Sequence, residues 1–211
     1  GRLALSVLAS VLVRTTLADT PVFALNVDEK SSGSAFKTAT SWTDYASSNP
    51  TNAPYAPNSK NAVGLEFVVT NNYIMRTADA TCYGKMTIGS TDSSGIVYDK
   101  MNGKIVSYPN GLVVVNGSYR PVDNSSRQQI DGKVVVYSPE ASPFQFANFE
   151  KKSYTGTTIL ADISGDEGTG ILIGGDGYIP ADSTLSGDNA AYLGSIHFAS
   201  AGNATANIGS P

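Results

Sequence analysis

The residues that could do chemistry are few, and their spacing restricts what they could do. His197 is the only histidine and Cys82 the only cysteine in 211 residues. Any Ser-His-Asp or Cys-His mechanism must therefore pass through His197. That residue alternates with Ile196 and Phe198, the phase of an outward-facing side chain on a strand. Cys82 is in phase with Gly84, Met86 and Ile88 and has no basic or histidine neighbour in sequence, which reads as a small buried hydrophobe. One histidine and one cysteine leave no nitrogen–sulfur set for zinc. Ser34 and Lys37 have the Ser-x-x-Lys spacing, but partner motifs of the Ser-Asp-Asn and Lys-Thr-Gly type are lacking. Gly168, Gly170 and Gly174 do not have dinucleotide-binding spacing. No two carboxylates are paired by spacing as glycoside hydrolysis requires. The chain is therefore expected not to be an enzyme.

Two weaker signals remain. Asp162, Asp166, Glu167, Asp176, Asp182 and Asp188 lie in a Gly-rich stretch, and calcium takes six to eight oxygens of the kind such loops supply. Asp162, Asp166 and Glu167 are the candidate calcium ligands, set against ordinary solvated Asp-Gly turns; no other cofactor is expected. Three Asn-x-Ser/Thr sequons, at Asn116, Asn124 and Asn203, are candidate glycosylation sites.

Charge excludes one class of partner. Lys and Arg number 14 against 18 Asp and Glu, for a net charge of −4. No basic cluster exists to displace counterions from a phosphate backbone, so nucleic acid is not an expected partner. Charged residues make up only 15% of the chain, against about 25% in ordinary soluble domains. Polarity comes from Ser, Thr, Asn, Gly and Tyr instead, the palette of secreted β-proteins, surface fibres and virion shells. The expected location is extracellular, at a cell surface.

The elements that would position these residues are short strands. Val63, Leu65, Phe67 and Val69 alternate as on a half-buried strand. Three Asn-Gly pairs, at 102–103, 110–111 and 116–117, separate β-branched runs and predict type I′ hairpins in an antiparallel meander. Ser31–Pro57 reads as a long surface loop anchored by Trp42 and Tyr45. No repeat of roughly 20 to 50 residues is apparent, which argues against a solenoid or propeller. The predicted fold is all-β, an antiparallel β-sandwich or jelly roll over residues 21–211, preceded by an apolar arm over residues 1–20.

That arm is the one long apolar stretch. Residues 3–13 are too few to span a bilayer as a helix and are closed by Arg14, so membrane contact is not expected. They also suit the end of a signal peptide. As a strand, Leu3, Leu5, Val7, Ala9, Val11 and Val13 share one face, and the other face is apolar too. Such a strand is buried on both sides, in its own domain or in a neighbour.

An all-β domain with an apolar terminal strand resembles, in architecture alone, the subunits of donor-strand pili and archaeal surface threads. The resemblance implies a homopolymer in which Leu3, Leu5, Val7, Ala9, Val11 and Val13 insert into the next subunit. The two-cysteine pattern common in chaperone–usher pilins is missing, as is the long N-terminal helix of type IV pilins. The expectation is a structural subunit of an extracellular filament whose partners are copies of itself. A viral capsid, tail or decoration protein and a secreted carbohydrate-binding β-sandwich are the alternatives.

Overall fold

The structure is a computed structural model that describes residues 20–45, 47–77, 79–101, 104–121, 128–146, 157–174, 182–198 and 205–208. Strands β1 to β16 are numbered in chain order. Sheet A contains β1 (Val22–Leu25), β2 (Trp42–Asp44), β3 (Glu66–Val69), β5 (Lys85–Ile88), β7 (Ile105–Val114), β9 (Gln128–Val136), β11 (Thr157–Ile159), β12 (Asp162–Gly165), β14 (Asp182–Leu185) and β16 (Thr205–Ile208). Sheet B contains β4 (Ile74–Arg76), β6 (Gly95–Asp99), β8 (Gly117–Pro121), β10 (Phe144–Phe146), β13 (Gly170–Ile173) and β15 (Ser195–Phe198).

From β3 onward the chain alternates between sheet A and sheet B, except that β11 and β12 both lie in sheet A against β9, and each strand pairs in parallel with a strand one coil away. Among the named strands only β1 and β2 pair antiparallel. The chain is thus a parallel β-solenoid, and the predicted antiparallel sandwich or jelly roll is not what forms. Neither is the Asn-Gly meander, of which the pair Asn102-Gly103 lies outside the described residues. Asn110-Gly111 lies inside β7, where the ladder to β9 shifts register between Tyr108 and Leu112. Asn116-Gly117 turns the chain from sheet A to sheet B rather than back along its own strand. Left-handed backbone serves a solenoid corner as well as a hairpin. Gly117 has φ +120°, and a Cβ there would lie 2.0 Å from the Gly95 carbonyl oxygen of the preceding coil.

Stacked side chains fill the interior. One column runs Phe67, Met86, Leu112, Val134, Ile163 through β3, β5, β7, β9 and β12. A second runs Met75, Val97, Tyr119, Phe146, Ile173 through sheet B. A third joins Val106, Ile130, Ile159 and Leu185. All of these side chains are buried. Each coil buries its apolar face against its neighbours, so stability accumulates along the axis and not around one central core.

The N-terminal end is closed by the segment read from sequence as a loop. Trp42 is fully buried, stands edge-on to Phe67 at 5.1 Å and donates from Nε1 to the Ala35 carbonyl at 2.8 Å. Tyr45, the other expected anchor, is exposed. The N–H groups on the outer edge of β4 are capped by carboxylates: Asp28 accepts from Ile74 N at 3.0 Å and Glu29 from Arg76 N at 2.7 Å. A sheet edge so occupied cannot template another strand.

Candidate functional site

Among the described residues two places are taken as candidate sites, one on the surface and one inside. The surface site follows from coil lengths. Between β7 and β8 the chain turns in two residues, Val115 and Asn116. The coils on either side take longer corners, from Gly89 to Ser94 and from Tyr137 to Pro143. A tight corner between two wide ones leaves a notch across the boundary of the two sheets. It comprises two adjoining hollows of about 240 and 180 Å³ that share Asn116 and Ser142.

The ends of the notch differ in chemistry. One is walled by Val115, Pro139 and Tyr137, the last well exposed. The other is polar, with Ser94, Ser118, Gln145 and Arg120. Arg120 Nε donates to Ser118 Oγ at 2.7 Å, which fixes one side of the guanidinium. Among the described lining residues Arg120 is the only one with a charge.

The internal site lies in the solenoid bore. Asp99 is 3% exposed; Oδ1 accepts from Met101 N at 2.8 Å and lies 3.4 Å from Thr77 Oγ1. Oδ2 has no hydrogen-bond partner among the described residues. Burial pushes the carboxyl up to about 6, against the pull of the Met101 and Thr77 hydrogen bonds. Tyr108 donates to the Tyr119 hydroxyl at 3.1 Å, and burial holds both phenols well above their usual range. Cys82 is fully buried, its Sγ donates to the Gly84 carbonyl at 3.3 Å, and burial pushes the thiol far up, which makes it inert.

Most of the residues singled out from sequence are not brought together. Asp162 opens β12, while Asp166 and Glu167 lie just beyond its far end, so about four strand residues, or roughly 13 Å, separate them. Asp162 instead accepts from Asp188 N at 2.9 Å. Among the described residues no group of three acidic, histidine or cysteine side chains could hold a metal ion. His197 faces outward from β15, with Nε2 3.7 Å from a Glu140 oxygen. Lys37 lies beside Asp79 at 3.9 Å, and Ser34 pairs with Thr38. Asn116 sits in the notch, partly exposed, with its carbonyl accepting from Gly95 N at 3.1 Å. Asn124, Asn203 and the arm residues Leu3, Leu5, Val7, Ala9, Val11 and Val13 lie outside the described residues.

The sequence reading missed both sites. Asp99 carried a signal, because it falls in the inward phase of Gly95, Val97 and Asp99, where a carboxylate is out of place. The notch carried none, since it depends on the lengths of three corners that meet only in the coil. No helix among the described residues is long and apolar enough to cross a membrane. No known protein family, curated protein or solved structure matches the chain.

Proposed function

We propose that this chain is a structural subunit of an extracellular filament or thread, with copies of itself as its partners. The observation that supports it most is the continuity of the inward columns from coil to coil, kept on both sides of the register shift between Tyr108 and Leu112. Such a solenoid extends along one axis and gains stability with each coil, which suits a load-bearing or spacing element. Low charge and a Ser/Thr/Asn-rich surface are consistent with an exterior location.

Joining of subunits is assigned to residues 3–13. With a solenoid in place of a sandwich, that strand would extend an edge of a neighbour's sheet by main-chain hydrogen bonding, with its aliphatic side chains set into the next coil's columns. Burying about five such side chains contributes on the order of 10 kcal/mol. Deleting residues 1–14 tests this: sizing chromatography should show loss of the polymer, with the β-sheet circular dichroism retained. Normal assembly of the truncated chain would remove the arm from the mechanism. Val7→Asp, which puts an unpaired charge in the same contact, should weaken assembly in the same direction.

A further inference from the structure

The notch between the sheets is too well differentiated to be packing slack. Its floor is set by a two-residue corner, its walls by the longer corners of the coils above and below, and its two ends have opposite chemistry. The hollows, about 240 and 180 Å³, reach together the lower part of the roughly 300–1,000 Å³ range of small-ligand sites. A ligand that fits must present a flat apolar face to Tyr137 and Pro139. It must also offer hydroxyls to Asn116 and Ser142 and a negative group to Arg120.

We propose that the notch is a binding subsite for an acidic saccharide, with a sugar carboxylate on Arg120 and a pyranose ring against Tyr137. A pyranose has an apolar C–H face and a rim of hydroxyls, and a tyrosine supplies a rigid amphipathic platform at little cost in side-chain entropy. The Nε–H of Arg120 is already used by Ser118 Oγ, so the fork available to a carboxylate is the pair of terminal nitrogens, a geometry lysine does not reproduce. No described residue lining either hollow is a carboxylate; the two on the walling corners, Asp92 and Glu140, are outside the lining, and Glu140 accepts from Ser195 Oγ at 2.6 Å. The chain as a whole is net negative at −4, so the attraction is local and not a long-range steering field. This inference does not depend on polymerisation.

The test is a titration of the full chain, made in a host that does not glycosylate Asn116, with trigalacturonate at low ionic strength. It is followed by calorimetry and by the NMR shifts of the notch residues. Saturable binding is expected, with the Asn116 and Gln145 side-chain amides shifting. Arg120→Gln should weaken it by about tenfold or more, the scale of a lost charge-assisted contact, and Arg120→Lys should restore only part. Maltotriose, which has no acidic group, should bind more weakly by a similar factor. Tyr137→Ala, at an exposed position, should weaken both sugars without lowering the melting temperature. The proposal is overturned if trigalacturonate fails to saturate by about 10 mM, where any binding is weaker than roughly 3 kcal/mol. It is also overturned if Arg120→Gln and Tyr137→Ala both fold and bind like the parent, or if acetate competes as well as the trimer.

Discussion

Asp99 gives the sharpest quantitative expectation. Its carboxyl is buried in the bore, its Oδ2 is unpartnered among the described residues, and burial raises it from 3.8 to about 6. The folded chain therefore holds the Asp99 proton more tightly than the unfolded chain does. Stability from this group is fully present below about pH 4 and is lost as pH rises through about 6, after which it stays flat. At 1.36 kcal/mol per pH unit, the gap between 3.8 and about 6 corresponds to about 3 kcal/mol. Asp99→Asn keeps the shape and an acceptor for Met101 N, and it has no charge to bury. Urea unfolding of both proteins at half-unit steps from pH 4 to 8 separates this carboxyl from all others, because only the difference between the two curves is read. That difference should shift in favour of the variant by about 2.4 kcal/mol between pH 4 and pH 7, because the unfolded carboxyl is already more than half ionised at pH 4. Parallel curves would refute the account of Asp99 as a carboxyl held neutral by burial.

The remaining expectations concern what holds the coils together. Tyr108→Phe or Tyr119→Phe alone should cost about 1–3 kcal/mol in urea unfolding by stranding one buried hydroxyl of the 3.1 Å pair, and the double variant should recover most of it. Gly117→Ala should abolish folding or lower the melting temperature severely, because its Cβ would lie 2.0 Å from the Gly95 oxygen. Gly111→Ala, with φ +105° but open space around it, should cost only the backbone strain of about 1–2 kcal/mol. Trp42→Ala should cost about 3–5 kcal/mol by opening the N-terminal cap over Phe67, read as loss of hydrogen-exchange protection there first.

What the sequence made legible was strand content and facing. The second half of the alternation Val63–Val69 locates β3: Phe67 and Val69 point inward as expected, whereas Val63 precedes the strand and is exposed; Cys82 is buried. His197 faces outward. The sign of strand pairing was not legible, because period-two alternation is the same for a parallel coil as for an antiparallel sandwich with one buried face. The Asn-Gly pairs reinforced the wrong choice, since left-handed backbone at Gly117 serves a corner as readily as a hairpin. The repeat itself was hidden. Lys85 lies under Glu66 but Ile159 lies under Ile130, so coil length varies from roughly 20 to roughly 30 residues, and only inward hydrophobicity recurs, not residue identity. The polar stretch around Trp42 concealed a cap for a related reason: its one tryptophan plugs the end of the bore through long-range contacts with Phe67 that local pattern does not encode.

Diffraction from oriented assemblies of the native material tests the central claim most directly. Solenoid subunits joined end to end place every strand across the fibre axis, so a meridional reflection near 4.8 Å, the parallel-strand spacing, is predicted from long filaments. Closed particles, a monomer at all concentrations, or filaments whose 4.8 Å spacing lies on the equator would contradict it.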